Sequence, residues 1–172
     1  MRKILIAIMA IVIIILPSCR AAHTERYTSC LAANPSWAEV GVEWDIMHDR
    51  LIEHGYEVGG IYTYYTAGRK NDRLIVARNQ HVADDTGKTL ELAVEIRSYI
   101  INEPLPPDNF LQIEPGMDLF DVVELIGQIP MTADSAIGTV HEDSVGNVYR
   151  ILWFYDESLQ KLVVGSVNSL NS

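Results

Sequence analysis

The stretch IEPGMDLFDVVELIGQIP, residues 113–130, decides the fold expected for the second half of the chain. Asp118 is a residue type that caps helix N-termini, and apolar residues follow it at the spacing of one helix face. These apolar residues are Leu119, Val122, Val123 and Ile126. Gly127 favours a left-handed helix end, and Pro130 prevents the helix from continuing. The stretch therefore predicts one short amphipathic helix.

Three candidate strands follow this helix. They cover residues 136–142, 147–155 and 161–167, and turn-forming residues at 143–147 and 156–158 separate them. A helix followed by a meander packs one face of an antiparallel sheet under the helix and leaves the other face in water.

The helix motif of this half resembles that of the SmpA/OmlA (BamE-like) domains. The shared pattern is Gly116-Met117, a capping residue, two apolar turns, Leu125-Ile126-Gly127 and a nearby proline. Residues 146–153 also resemble the strand that ends in an aromatic run in such domains, and related architecture occurs in the beta-lactamase inhibitor protein-like fold. The resemblance covers about residues 110–168, and residues 23–109 match no family in this way. Members of this fold are mostly binding and assembly modules, so the resemblance implies a protein-binding role without naming a partner.

The first half is expected to repeat this architecture, beginning with a helix over residues 37–54. Ser36 and Glu39 have the spacing of a capping box, and Gly55 is a typical helix stop. An apolar stripe at alternating spacings of three and four supports the helix. It consists of Trp37, Val40, Trp44, Met47 and Leu51.

Three strands are expected after this first helix. Residues 56–66 and 73–82 are rich in strand-forming residues, with turn residues at 67–72 and 84–87. Residues 90–100 alternate apolar and polar with a period of two, which favours a strand over a helix. The predicted fold class is α+β, a helix packed on an antiparallel meander, in two successive helix-plus-three-strand units.

The expected organisation of the chain has five parts. A signal peptide is expected at residues 1–18, and a flexible tether follows it at residues 19–34. The first helix-plus-meander unit is expected at residues 35–101. A proline-rich linker at residues 102–109 then leads to the BamE-like unit at residues 110–172.

The N-terminus is typical of a bacterial lipoprotein export signal. Arg2 and Lys3 precede an apolar run over residues 4–16 that is too short to cross a membrane, which needs about 20 residues. Leu16-Pro17-Ser18-Cys19 then resembles a lipobox, in which the cysteine is lipidated and becomes the new N-terminus. We therefore expect Cys19 to anchor an extracytoplasmic protein to a cell membrane or outer membrane through palmitate-type acyl chains.

Two other readings of this segment stay open. One is an ordinary signal peptide cut near Ala21 or Ala22, and the other is an uncleaved anchor. If Cys19 carries the lipid on its sulfur, the chain offers Cys30 no intramolecular partner, so a disulfide framework is not expected. Cys30 is then either a small residue of the tether or a thiol able to pair between molecules.

The charge of the chain argues against nucleic-acid binding. Loss of Arg2 and Lys3 takes the 13 basic residues to 11 against 23 acidic ones, a formal charge of −12 for the mature protein. Phosphate neutralisation needs clustered Lys and Arg, and no such cluster is present in the sequence. The acidity is explained by solubility, with a basic partner as the alternative.

No catalytic pattern stands out in the sequence. His48 and His54 are about 240° apart around the expected first helix, so they are not expected to share a metal, and the acidic residues around them are expected to face solvent. No serine lies in a nucleophile elbow, and no phosphate-binding glycine loop occurs. The sequence thus predicts neither an enzyme nor a cofactor.

Aromatic residues provide the candidate binding site. Tyr62 and Tyr64 crowd one expected strand, and Trp153 and Tyr155 end another. Tyr and Trp are favoured at interfaces because they join a large apolar area to a polar tip. Ordinary core packing is the competing interpretation.

The leading hypothesis is a membrane-tethered, non-catalytic module that binds a protein or peptide in the cell envelope. The alternative is an envelope hydrolase or small-ligand receptor with its site between the two units. A buried His81 or His141 with a perturbed pKa, facing a carboxylate in a pocket, would favour that alternative.

Overall fold

A computed structural model describes residues 29–61, 64–101, 107–128, 131–132 and 138–170. Cys19, the export signal and Tyr62 lie outside these residues. The described part of the chain contains two α-helices, α1 (Trp44–Glu53) and α2 (Leu119–Ile126), and a 3-10 helix at Pro107–Gln112. Nine strands accompany them: β1 (Ser29–Ala32), β2 (Glu57–Ile61), β3 (Tyr65–Lys70), β4 (Arg73–Ala83), β5 (Thr89–Ile101), β6 (Met131–Thr132), β7 (Gly138–Glu142), β8 (Val148–Asp156) and β9 (Lys161–Ser169).

The strands form two antiparallel groups. The first group has five strands in the order β1-β5-β4-β3-β2, and the second has three in the order β7-β8-β9. The two-residue β6 lies between the groups, parallel to β2 and antiparallel to β7. Helices thus combine with antiparallel meanders, as the sequence predicts for an α+β protein.

The first helix is shorter than predicted. It begins at Trp44 rather than Trp37, with Glu43 as an N-cap that makes no side-chain cap hydrogen bond. The predicted capping box is wrong because the chain before Trp44 pairs with β5 instead: Gly41 N–H donates to Ala93 O at 2.7 Å, and Ala93 N–H donates to Val42 O at 2.8 Å. Gly41 has a φ of 91°, which a continuing helix does not allow.

The first meander has four strands rather than three. Residues 56–66, predicted as one strand, divide into β2 and β3, which pair with each other in register Ile61↔Tyr65. At Gly60 a Cβ atom would overlap the carbonyl oxygen of Tyr65, so glycine permits the close approach of the two strands. The predicted turn at 67–72 narrows to Asn71 and Asp72, where Asn71 has a φ of 55°.

The expected tether is partly ordered. Residues 29–32 form β1, which pairs with β5 from Ser29↔Ile101 to Ala32↔Ser98, so a structureless spacer over 19–34 is wrong for these residues. Cys30 is disulfide-bonded, so the prediction of no disulfide within the chain, made on the condition that Cys19 carries a lipid on its sulfur, is wrong for this structure. Cys19, the other of the two cysteines, lies outside the described residues.

The predicted linker over 102–109 also contains ordered structure at its end. Residues 107–112 form the 3-10 helix, in which Asn109 and Phe110 are buried. The Asn109 amide donates to Leu125 O at 2.6 Å and ties this segment to the C-terminal end of α2. Residues 102–106 lie outside the described part of the chain.

The sequence predicts α2 and the strands around it well. The Asp118 side chain accepts a hydrogen bond from Asp121 N–H at 3.0 Å, and the Asp121 side chain accepts one from Asp118 N–H. Gly127 ends the helix at a φ of 59°. β5 confirms the strand predicted over 90–100. Strands β7, β8 and β9 match the three strands predicted after α2 to within about two residues at each end.

Both faces of the first strand group are covered by other parts of the chain. The prediction that one face of the sheet is left in water is therefore wrong for this group. On one face α1 buries Met47 and Leu51 against Ile75 and Ala77. On the other face α2 lies between the two strand groups, and six of its eight residues are buried. The core around α2 joins residues of both halves, among them Leu74, Tyr99, Phe120, Ile151 and Val164.

Candidate functional site

Two of the predicted binding residues meet where the two halves of the chain join. The ring centroids of Tyr64 and Tyr155 lie 5.1 Å apart with a 31° angle between the ring planes. Both side chains are half-buried. Tyr64 precedes β3 and is fixed by backbone bonds, since its N–H donates to Ile61 O and its carbonyl accepts from Asn79 N–H at 2.7 Å. Tyr155 comes from β8.

His81 extends this aromatic pair along β4. Its ring meets Tyr64 edge to face at a centroid distance of 6.0 Å. His81 Nδ1 lies 3.5 Å from Glu91 Oε1 on the neighbouring strand β5. The His81 side chain is 46% exposed. We call Tyr64, His81 and Tyr155 the junction cluster, and it presents three rings at one surface.

The turn between β8 and β9 holds the junction cluster together. Gln160, at a φ of 54°, accepts from Arg78 Nη1 through its carbonyl at 3.3 Å and from Gln80 Nε2 through its side chain at 3.0 Å. Asp156 shapes the turn by accepting from the Ser158 hydroxyl at 2.6 Å and from two backbone N–H groups. The hydrogen bond from Ser158, joined by those from the backbone, lowers the pKa of Asp156.

The sequence does not reveal that β4 and the β8–β9 turn come together. The sequence presents His81 only as one half of an unspecified His–carboxylate pair, and Arg78, Gln80 and Gln160 belong to no motif. Contacts between segments so far apart along the chain depend on how the two strand groups close around α2. Periodicity reports only which face of an element is apolar.

Trp153, a predicted binding residue, belongs to the core instead. It is only 5% exposed, and its indole Nε1–H donates to Thr139 Oγ1 at 3.0 Å. The neighbouring Phe154 is 48% exposed. A register shift between Leu152 and Trp153 accompanies this placement of the aromatic run. The prediction that Trp153 lines a binding surface is therefore wrong.

His141 lies in the same buried polar network as Trp153. Its Nε2 is 2.9 Å from Thr139 Oγ1, and its Nδ1 is 3.3 Å from Gln128 Oε1. Burial lowers the pKa of His141 to about 4, so the imidazole is neutral at physiological pH.

Neither His81 nor His141 is both buried and paired with a carboxylate, which is the arrangement that would favour an envelope hydrolase or a small-ligand receptor. His141 is buried and has a perturbed pKa, but its partners are an amide and a hydroxyl rather than a carboxylate. His81 faces the Glu91 carboxylate on an exposed surface. The arrangement of each is explained by packing and hydrogen bonding.

The acidic and histidine residues of the first helix stay on its surface. His48 Nδ1 lies 3.6 Å from Asp49 Oδ1, and the Asp49 side chain is 77% exposed. Within the described ranges, no group of three or more His, Cys, Asp or Glu side chains could hold a metal ion. No described helix is long and apolar enough to cross a membrane.

Comparison with known proteins leaves the family open. No protein-family model, curated protein or solved structure matches the chain. The resemblance of residues 113–130 to the BamE-like helix motif therefore stays a prediction.

Proposed function

We propose that the chain is a lipid-anchored, extracytoplasmic binding module that contacts a protein or peptide of the cell envelope through the junction cluster. The single observation that carries this proposal is the grouping of Tyr64, His81 and Tyr155 at one surface built from both halves of the chain. Aromatic side chains with a polar tip are the residues that most often contribute binding energy at protein interfaces.

The structural support for this surface is rigidity. The β8–β9 turn is bonded to β4 through Gln160, and Tyr64 is held by two backbone hydrogen bonds. A preorganised surface loses less conformational entropy when it binds than a flexible one does. Polar neighbours such as Gln80 and Arg78 would form the hydrated rim of such an interface.

The anchor and the assignment of the second half belong to the same proposal. Leu16-Pro17-Ser18-Cys19 supports lipidation at Cys19, which we propose for the form of the protein in which Cys30 is not disulfide-bonded. The capped helix α2 followed by β7, β8 and β9 supports a BamE-like unit over residues 110–172. The first half, residues 35–101, would be a second helix-plus-meander unit that supplies Tyr64 and His81 to the shared surface.

Site-specific crosslinking in intact cells tests the proposed surface. A photoreactive phenylalanine analogue placed at Tyr155 should give a discrete adduct with one envelope protein. The same analogue at Val145, which is 68% exposed in the β7–β8 turn, is the matched control and should not give that adduct. The adduct at 155 should also fall at least about 10-fold when Tyr64 is changed to alanine.

Two results would overturn the proposed surface. One is the absence of any discrete adduct at position 155 in cells where the variant is present at wild-type level. The other is an identical set of adducts from positions 145 and 155, because unspecific collision labels both exposed sites alike.

A further inference from the structure

A groove lies at the other end of β4 from the junction cluster. Its volume is about 410 Å³, within the range of small-molecule sites. The segment before α1, the residues between α1 and β2, and the β3–β4 turn line it with Trp37, His54, Tyr56, Lys70, Asp72 and Arg73. The groove is therefore a feature of the first half alone and is independent of the proposed partner surface.

One wall of the groove is aromatic. The rings of Trp37 and His54 stack at a centroid distance of 4.4 Å with a 10° angle between the planes. Tyr56 meets Trp37 edge to face at 5.8 Å. Arg50 Nη1 donates to Trp37 O at 2.7 Å, which fixes the backbone of Trp37 against α1. Because the rings support one another, the wall is formed before any ligand arrives.

Beside this aromatic wall the groove is cationic. Lys70 Nζ donates to His54 O at 2.7 Å and lies 5.9 Å from the Tyr56 ring centroid. No carboxylate of the described residues lies within ion-pair distance of the Arg73 guanidinium. Arg73 thus retains the capacity for a bidentate bond to a carboxylate.

The charge of this groove contrasts with that of the chain. Two cations, Lys70 and Arg73, oppose a single lining carboxylate, that of Asp72, in a protein of formal net charge −10. Burial raises the pKa of the Tyr56 hydroxyl, and the nearby Arg73 charge partly offsets this rise. A local positive site in an acidic protein attracts small anions selectively, because the rest of the surface repels them.

We propose that this groove binds a small organic carboxylate whose ring presents a flat or CH-rich face. The ring would lie against Trp37 and Tyr56, and the carboxylate would accept hydrogen bonds from Arg73 and Lys70. Aromatic walls with a few convergent polar groups are the usual composition of a small-ligand site. The two sources of this chemistry are an aromatic acid and an acidic sugar.

Indole resonances provide a direct test on the full chain in neutral nanodiscs. With ¹⁵N-labelled tryptophan, the Trp37 indole signal should shift saturably with phenylacetate or glucuronate. Phenylacetamide and glucose are matched uncharged controls, and they should bind at least about 10-fold more weakly. The Trp153 signal should not move, because that residue lies in the core. A shift of the Trp37 signal with only one of the two acids supports the proposal and shows whether the groove binds an aromatic ring or a sugar ring.

Variants test the role of the cations. Arg73→Gln should weaken binding of the acid about 10-fold, whereas Lys88→Gln, an exposed cation in the β4–β5 turn, should leave it unchanged. An unchanged Trp153 signal shows that each variant is folded. Equal binding of acids and neutral controls, no Trp37 shift with either acid, or wild-type affinity in Arg73→Gln would overturn the proposal. Failure of the crosslinking at position 155 would leave these results unaffected.

Discussion

The Asp118 carboxylate joins two parts of the fold: Oδ2 lies 2.7 Å from Lys161 Nζ at the start of β9, and Oδ1 accepts from Asp121 N–H at 3.0 Å. Burial alone would raise the pKa of Asp118, but the Lys161 ammonium and the Asp121 N–H together hold it below its usual range. Gly116 N–H also donates to Val164 O at 2.8 Å, and Val164 N–H donates to Met117 O at 2.8 Å, so three hydrogen bonds attach the N-terminal end of α2 to β9. This end of α2 is therefore both a helix cap and a contact between α2 and the second strand group.

Removal of the Asp118 carboxylate should lower the free energy of unfolding. Asp118→Ala loses the helix cap and leaves Lys161 without its partner, so we expect a loss of about 2 kcal/mol. Asp118→Asn keeps a capping residue and should lose less. Urea unfolding measures both, and a loss below about 0.5 kcal/mol for Asp118→Ala would contradict the role assigned to this contact.

The pH dependence of the Asp118 contribution follows from the direction of its pKa shift. A folded pKa below the unfolded one stabilises the native state above the unfolded pKa, and this stabilisation is lost as pH falls through the folded pKa. Asp118→Asn should therefore lower the free energy of unfolding less at pH 3 than at pH 7. Lys161→Met is the matched test, because it removes the cation of the ion pair and should therefore reduce the same pH dependence of the unfolding free energy.

The buried His141 should make the protein sensitive to mild acid. Its folded pKa of about 4 lies below the ordinary value of 6.5, so between these values the unfolded chain binds a proton that the folded protein excludes. Stability should fall by about 3 kcal/mol as pH drops from 7 to 4 through this group. His141→Gln should flatten that part of the profile, measured by urea unfolding at each pH.

Trp153 should behave as a core residue. Trp153→Phe loses the hydrogen bond to Thr139 Oγ1 and part of the buried ring, and we expect it to lower the unfolding free energy by about 2 kcal/mol. Phe154→Leu changes an adjacent but exposed aromatic residue and should cost less than about 1 kcal/mol. Equal costs for the two substitutions would contradict the burial of Trp153 deduced from the structure.

The two cysteines provide a sharp test of the anchor. A lipid thioether at Cys19 and a disulfide at Cys19 are mutually exclusive, because each uses the same sulfur. We expect labelled palmitate to enter the protein, Cys19→Ala to abolish the label and Cys30→Ser to retain it. Intact mass after alkylation, with and without reductant, measures the state of both sulfurs. A membrane-derived chain with both cysteines in one internal disulfide would contradict the lipid proposal.

Local patterns determined much of the fold from the sequence alone. The helix α2 follows from Asp118, the apolar spacing and Gly127, because a cap, a helix face and a left-handed stop are properties of adjacent residues. The alternation over residues 90–100 likewise determined β5. Such elements are predictable because their hydrogen bonds and periodicity are short-range.

Tertiary contacts decided the rest. Ser36 and Glu39 have the spacing of a capping box, yet the bonds of Gly41 and Val42 to Ala93 of β5 delay the start of α1 to Trp44. The aromatic run 153–155 was visible in the sequence, but the register of β8 against β9 buries Trp153 and brings Tyr155 to Tyr64. The sequence alone predicts a lipobox that ends at Cys19, whereas the junction cluster and the Trp37 groove exist only in the folded chain. Their residues come from separate elements, and only the packing around α1 and α2 brings them together.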